Sequence, residues 1–231
     1  MKLFWNPIEG LVKTMLACGV LAALGSAPVF GQVYSGTLAG LANGGTLTID
    51  DKTFSGFSYQ VSGLTTFDPT AITVTASESG GVDYLTWAGN MSFTSTGIAT
   101  ADVVLNYIVT ANPGAINMID QSYDGTANNG TVAVDETASI GSFGGVVVAY
   151  SQLNPSNPSQ LQGPNLVVNP AQSVLYVTKD ITFAVTSTNV GSVTIDQVVQ
   201  SFHQVPEPAS VLLGSLGGGL LWLLRRQTRR N

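Results

Sequence analysis

The chain has 231 residues and a formal net charge of −6, and 44% of its residues are hydrophobic whereas only 10% are charged. Between Gln32 and Val205 it carries twelve acidic residues and two basic ones, Lys52 and Lys179, so this stretch has a net charge of −10. A stretch with this charge would repel the phosphate backbone of DNA or RNA, so we expect no nucleic-acid partner.

The N-terminus has the three parts of a secretory signal peptide. Lys2 and Lys13 precede an apolar run, Met15 to Leu24, that is too short to span a membrane, and small residues follow it. We therefore predict a signal peptide over 1–31, cleaved between Gly31 and Gln32.

Cys18 is the only cysteine of the chain. A lipoprotein signal, in which Cys18 would be acylated, is a weaker alternative because the apolar run continues past this residue. If Cys18 leaves with the signal, disulfides cannot stabilise the exported body.

The body, 32–204, is predicted to be one all-β domain, a jelly-roll-like antiparallel β-sandwich. Apolar residues alternate with Ser, Thr, Asn and Asp, which places them on one face of each strand. We expect roughly ten to twelve strands and no helix before Ala209. Turns are predicted at Asn43-Gly44-Gly45, Gly80-Gly81, Gly89-Asn90, Asn112-Pro113-Gly114, Asn128-Asn129-Gly130 and Gly144-Gly145.

One segment, Leu153 to Pro170, interrupts this alternation with four prolines among Ser, Asn and Gln. Proline cannot donate to a sheet ladder, so the segment cannot be a central strand. We expect a long surface loop, which either connects strands or has a function of its own.

The residue types that most enzymes need are scarce in the body. The single histidine, His203, lies close to Pro206 in what we interpret as a membrane-proximal connector, and no G-x-S-x-G elbow accompanies it. Paired carboxylates could cleave a glycosidic bond, but most of the acids lie beside turn residues: we expect Asp50-Asp51 just after a strand and Asp135-Glu136 at a strand end. We expect no enzymatic activity and no cofactor.

Calcium is the one ion that the composition favours, because oxygen ligands are plentiful. Asp120, Asp124 and Asn128 follow one another at intervals of four in a Gly- and Asn-rich stretch, which makes them weak candidate ligands without the EF-hand spacing.

A sugar-binding role would need exposed aromatic side chains. The candidates are Trp87, Tyr84, Tyr123 and Tyr150. Since Leu85 and Trp87 share one strand face, we expect Trp87 in the core and Tyr84 on the outer face.

The C-terminus, 205–231, carries three elements in a fixed order. Pro206, Glu207 and Pro208 precede an uncharged apolar segment over 209–224, which at ~1.5 Å per residue spans about 24 Å as a helix. This is short for a membrane helix, and a basic cluster follows it, as expected on the cytoplasmic side. The cluster consists of Arg225, Arg226, Arg229 and Arg230.

This arrangement resembles the PEP-CTERM sorting signal of exported bacterial proteins. The resemblance implies recognition by an exosortase-type processing enzyme, a transient anchor in the inner membrane with a cytoplasmic C-terminus, and a final site in the cell envelope or outside the cell. The stretches Asp51 to Tyr59 and Asp102 to Val109 are also similar to PEP-CTERM ectodomains of unknown role.

The sequence thus predicts an exported cell-envelope or extracellular-matrix protein with a structural or adhesive role. The alternatives are, second, a carbohydrate-binding module for exopolysaccharide and, third, a carboxylate-based glycosidase.

Overall fold

The computed structural model of the chain describes residues 33–153, 161–162 and 166–204. All of them fall in one compact unit, Gln32–Asn231. The predicted signal peptide with its cleavage site and the predicted sorting tail over 205–231 lie outside the described residues and remain predictions. Among the described residues, no helix is both long enough and apolar enough to cross a membrane.

The described residues form fourteen β-strands and one short α-helix. The strands are β1 Val33–Thr37, β2 Leu47–Ile49, β3 Lys52–Ser62, β4 Thr66–Phe67, β5 Thr73–Ser79, β6 Val82–Ser95, β7 Ala99–Ala111, β8 Ile116–Asn128, β9 Gly130–Ile140, β10 Val146–Leu153, β11 Leu161–Gln162, β12 Leu166–Gln172, β13 Val174–Val185 and β14 Gly191–Gln204, and the helix is α1, Leu38–Ala42.

The strands form two antiparallel sheets. Sheet A has the order β1-β5-β6-β14-β8-β11, with β12 also paired to β8 and β4 to β6, and sheet B has the order β10-β9-β13-β7-β3-β2. The longest unbroken ladder joins β13 to β7 and runs from Val174 opposite Thr110 to Val185 opposite Ala99. The predicted antiparallel β-sandwich is confirmed.

The core lies between the sheets because each long strand turns one face inward, as its alternation predicts. In β7 the buried residues are the alternate ones from Ala101 to Ala111. Aromatic rings from both sheets meet at its centre: Phe54 lies 5.3 Å from Phe202, and Trp87 lies 5.2 Å from Tyr107, between ring centroids. Burial of such large side chains contributes most of the stability of a domain without disulfides.

The helix α1 was not expected from the sequence. Its N-cap is Thr37, whose hydroxyl accepts a hydrogen bond from the Gly40 N–H, and its residues Leu38 and Leu41 are buried. Five residues are too few to show a helical period, so the pattern of the sequence could not reveal it.

Five of the six predicted turns are found, but the one at Gly89-Asn90 is wrong. These two residues lie inside β6, where the register with β14 shifts between Ile195 and Gln197. A Cβ atom at Gly89 would lie 2.9 Å from the Ile72 Cα, so glycine permits a close approach of two backbones here and does not end the strand.

The described residues at the end of the proline-rich segment form a strand, where a loop was predicted. The structure places β12, which contains Pro170, at the edge of sheet A against β8. Its register shifts between Val167 and Gln172, which agrees with the rule that proline is confined to edge strands and bulges.

Candidate ligand-binding face

Both basic residues of the body are buried between the sheets. Lys52 is 1% exposed and Lys179 is 0% exposed. The described part of the chain therefore presents no lysine or arginine to solvent, whereas acidic side chains such as Asp50, Asp124 and Asp196 are exposed. The charged side chains exposed on the described part of the sandwich are therefore acidic, which disfavours anionic ligands.

Lys179 is the centre of a polar network that joins the two sheets. Its Nζ forms an ion pair with Glu136 of the same sheet and donates to the side-chain oxygens of Gln121, at 2.9 Å, and Gln200, at 2.6 Å, on sheet A. Gln121 also reaches Ser151 through its amide nitrogen. Burial lowers the pKa of Lys179, and the Glu136 carboxylate opposes this effect. The network ties the sheets together but is closed to ligands.

The expectation that Asp135 and Glu136 lie at a strand end is wrong. Glu136 lies in the middle of β9 and is fully buried, directly opposite Lys179 on β13. A buried carboxylate needs such a cation, because desolvation of an unpaired charge is costly.

The second lysine closes one end of the sandwich. The Lys52 Nζ lies 2.6 Å from the Asp83 carboxylate of sheet A and 3.0 Å from Asp51. Asp50, Asp51 and Asp83 bring carboxylate oxygens within 4.8 Å of one another, as metal ligands do. Because the ammonium group of Lys52 already contacts two of the three carboxylates, the cluster has a cation of its own. Burial raises the pKa of Asp83 although Lys52 lowers it.

The structure does not bring the candidate calcium ligands Asp120, Asp124 and Asn128 together. All three lie along the single strand β8, where a rise of ~3.3 Å per residue separates consecutive members by about 13 Å. An interval of four residues would bring side chains together on a helix, but it keeps them apart on a strand.

His203 does not lie in a connector, as the sequence suggested, but in β14. Its Nε2 is 2.9 Å from the Asp120 Oδ2 and 3.3 Å from the Ser201 Oγ. The Ser201 hydroxyl also donates to the same Asp120 oxygen, at 3.2 Å. In a catalytic triad the serine and the aspartate contact different ring nitrogens, whereas here both contact Nε2. The cluster is a partly buried hydrogen-bonded group of one imidazole, one carboxylate and one hydroxyl.

The four aromatic side chains considered for sugar binding differ in their exposure to solvent. Trp87 and Tyr123 are buried, at 1% and 2% exposure, and burial raises the pKa of Tyr123 to about 12. Tyr84 is half-buried on the outer face of sheet A, as expected. Tyr150 is 53% exposed on β10, so it is the one of the four that is free to stack on a ligand.

Tyr150 begins a row of polar side chains that crosses five strands of sheet B on its outer face. Each member lies directly opposite the next, so all of them point to the same side. The Thr178 hydroxyl donates to the Asn106 side-chain oxygen at 2.7 Å, and the Asn106 amide lies 3.4 Å from the Ser58 hydroxyl. With ~4.8 Å between strands the row is about 19 Å long. We call Tyr150, Thr137, Thr178, Asn106 and Ser58 the polar row.

Acidic residues lie beside the polar row on the same face. Asp180 of β13 is directly opposite Asp135 of β9, and Asp102 of β7 lies one step further along the strands. Desolvation and the nearby charges of Asp102 and Asp135 raise the pKa of Asp180. Sequence reasoning named Tyr150 but missed the rest of this face, since only the register of four strand pairs aligns it.

No protein-family model and no curated protein matches the chain. Solved structures match at low similarity. The carbohydrate-binding module TmCBM61 in complex with β-1,4-galactotriose is 10% identical, with a TM-score of 0.30 over 61% of this chain and 86% of that one. A structure of carbohydrate-binding modules from the β-sandwich superfamily is 9% identical, with a TM-score of 0.35 over 65% of this chain and 57% of that one. A family two carbohydrate esterase from Cellvibrio japonicus is 13% identical, with a TM-score of 0.29 over 77% of this chain and 36% of that one. Likenesses this distant carry no argument about function.

Proposed function

We propose that this chain is an exported, non-enzymatic β-sandwich that binds polysaccharide on the outer face of sheet B. One observation carries the proposal: the exposed ring of Tyr150 stands at the end of a row of three hydroxyl groups and one amide. An exposed aromatic ring stacks on the apolar face of a sugar, and hydroxyl and amide groups donate to and accept from sugar hydroxyls.

The negative charge of this face indicates which kind of polysaccharide can bind to it. Asp102, Asp135 and Asp180 lie beside the polar row, and no lysine or arginine of the described residues reaches the surface to neutralise them. A polysaccharide rich in carboxylates or sulfates would be repelled, so we expect a neutral polymer as the ligand.

The predicted sorting signal would determine where in the cell envelope or outside the cell the protein acts. The ordered elements Pro206-Glu207-Pro208, the apolar segment over 209–224 and the arginine cluster support export and processing by an exosortase-type enzyme. A polysaccharide-binding body released outside the inner membrane would act as an adhesive component of the cell envelope or the extracellular matrix. Intact-mass measurement of the exported protein tests the processing step: we expect a chain that starts at Gln32 and lacks Arg230.

Binding is tested by affinity electrophoresis of the full-length protein in gels that contain a neutral cellulose derivative, with alginate as the anionic comparison. We expect retardation in the neutral gel only. Tyr150→Ala should abolish it, while Tyr84→Ala, a matched change on the outer face of sheet A, should leave it intact. Retardation that is lost with Tyr84→Ala and kept with Tyr150→Ala would move the site to the other sheet and overturn the proposal.

A second candidate function, a carboxylate-based glycosidase, has one observation in its favour. Asp135 and Asp180 lie opposite each other on neighbouring strands, and the pKa of Asp180 is raised. Glycosidases use two carboxyl groups of which one keeps its proton. Asp180 is exposed, however, which favours binding over catalysis. Release of reducing sugar from the same polymers, lost in Asp180→Asn, would establish cleavage.

A further inference from the structure

We propose that Lys179 and Gln200 become joined by an isopeptide bond, a covalent link between the two sheets whose formation Glu136 assists. The three side chains are fully buried, at 0% exposure each. The Lys179 Nζ lies 2.6 Å from the Gln200 Oε1 and forms an ion pair with Glu136. These contacts bring together the three groups that such a bond needs, which are a nucleophile, an acyl carbon and a proton acceptor.

The amine of Lys179 is a nucleophile only when it is neutral, and its surroundings favour that form. Proton transfer from a buried ammonium group to a buried carboxylate removes two costly charges at once. The ion pair with Glu136 gives this proton a direct path. The Oε1 of Glu136 has no hydrogen-bond partner among the described residues, so the carboxyl group is free to hold the proton. Burial lowers the pKa of Lys179, although the Glu136 charge opposes this effect.

Two glutamine side chains contact the amine, and their amide groups are held differently. The Gln121 Nε2 donates to the Ser151 hydroxyl and to the Val134 carbonyl oxygen, which fixes that amide. The Gln200 Nε2 contacts the Ser201 carbonyl oxygen at 3.4 Å, which is a weak hydrogen bond. Gln200 is therefore the acyl donor, since its amide can turn and its nitrogen can leave, while Gln121 orients the amine.

The reacting atoms already lie near the separation needed for attack. A C=O bond of ~1.2 Å places the Gln200 Cδ no more than about 4 Å from the Lys179 Nζ. Reacting atoms that are positioned for attack lie roughly 3–3.5 Å apart, and holding them there removes the entropy cost of a collision. A small rotation of the Gln200 amide therefore brings its carbon within reach.

The reaction exchanges one amide for another and needs no oxidant or cofactor. The Nζ lone pair forms a bond to the Gln200 Cδ, and the bond from Cδ to Nε2 breaks with its electron pair on the nitrogen. A proton passes from Nζ through Glu136 to that nitrogen, which leaves as ammonia. Glu136 keeps the other proton that Lys179 gave up, so both groups end uncharged. Because the site excludes water, hydrolysis does not reverse the step.

This bond would do for the body what a disulfide does in other exported proteins. Cys18, the single cysteine of the chain, lies in the predicted signal peptide. Lys179 belongs to β13 of sheet B and Gln200 to β14 of sheet A, so the bond holds the two sheets together. The inference is independent of sugar binding, because it concerns the core and not the outer face of sheet B.

Trypsin tests the proposal on the wild-type chain, because it cuts after a lysine only when the amine is free. Between Gln32 and Val205 the chain contains two lysines and no arginine, so Lys52 is an internal control. We expect the denatured full-length protein to be cut after Lys52 and not after Lys179. Cleavage after both lysines would overturn the proposal.

A chymotryptic map of the same denatured protein identifies the acyl donor. Chymotrypsin cuts after aromatic residues and so separates Lys179, in peptide 177–183, from Gln200, in peptide 184–202. We expect these two peptides to be joined, with a mass that is lower than their sum by one ammonia molecule. Peptide 177–183 joined to the peptide that contains Gln121, or joined to none, would overturn the proposal.

Variants test the role of each side chain. In Glu136→Gln, which removes the proton acceptor, and in Gln200→Met, which removes the acyl carbon, trypsin should cut after Lys179. In Gln121→Met, the matched control, Lys179 should stay resistant. A β-rich circular dichroism spectrum shows that each variant is folded. Resistance of Lys179 in a folded Glu136→Gln or Gln200→Met variant would contradict the role proposed for that residue.

Discussion

Lys179 and Glu136 form an ion pair that lies wholly inside the sandwich, with both side chains at 0% exposure. They are 43 residues apart in sequence and directly opposite each other on β13 and β9. Two glutamine oxygens from sheet A complete the surroundings of the ammonium group, so one cation joins strands of both sheets. The Oε1 of Glu136 has no hydrogen-bond partner among the described residues, which leaves Lys179 as the main compensation for its charge.

Removal of this lysine is expected to destabilise the protein strongly. Lys179→Met leaves Glu136 as an uncompensated buried charge, which costs about 3–5 kcal/mol in the free energy of unfolding. Urea denaturation followed by tryptophan fluorescence measures this cost. The double variant Lys179→Met with Glu136→Leu removes both charges and should be more stable than the single variant; if it is less stable, the pair is not coupled as described.

Gly125 is expected to tolerate no side chain. A Cβ atom there would lie against the Thr194 carbonyl oxygen of β14, well inside van der Waals contact. Gly125→Ala should therefore force the two backbones apart and cost roughly 1–3 kcal/mol. Gly97 is the matched control, because a Cβ atom there meets nothing within 4 Å. Thermal unfolding should show a lower Tm for Gly125→Ala and an unchanged one for Gly97→Ala.

The acidic residues beside the polar row predict a pH-dependent stability. The pKa of Asp180 is raised above 3.8 in the folded protein, so the folded state holds this proton more tightly than the unfolded state. The contribution of Asp180 to stability therefore falls as the pH rises from 3.8 through the folded-state pKa.

Asp180→Asn should accordingly raise the Tm near pH 7 and lose this advantage near pH 3, where the wild-type carboxyl is also neutral. Differential scanning calorimetry at both pH values measures the effect. If Asp180→Asn has a lower Tm than the wild-type protein near pH 7, the charges of Asp102, Asp135 and Asp180 do not repel one another as described.

A chelator is expected to leave the Tm unchanged. Lys52 pairs with the Asp51 and Asp83 carboxylates of the cluster that also includes Asp50, so we expect the cluster to hold together without calcium. A drop of several degrees on adding EDTA would show instead that a metal bound to the folded state stabilises it. Lys52→Met should lower the Tm, since it leaves Asp83, at 3% exposure, without its cation.

Much of the fold was accessible from the sequence because its signals are local. Alternation in β7 and β13 predicted which residues face the core, and turn residues such as Asn129 and Gly130 marked the hairpins correctly. The register shift at Gly89 was not predictable, since it depends on the close approach of the Ile72 backbone, which directly precedes β5.

The chemistry of the body was far less accessible. The sequence placed His203 in a connector and Glu136 at a strand end, and both assignments were wrong because their partners, Asp120 and Lys179, are distant in the chain. Similarly, the spacing of Asp120 and Asp124 suggested that they bind one ion, but both lie on the extended strand β8, which keeps them apart.

The sequence by itself determined the all-β class, the inward faces of the strands and the negative charge of the body, because periodicity and composition require no knowledge of neighbours. Only the tertiary structure decided which strands lie side by side. That pairing buried both lysines, aligned Tyr150 with Thr178 and Asn106 on one face, and left β10 at an edge. Each of these features depends on contacts between strands far apart in the chain, which local patterns do not encode.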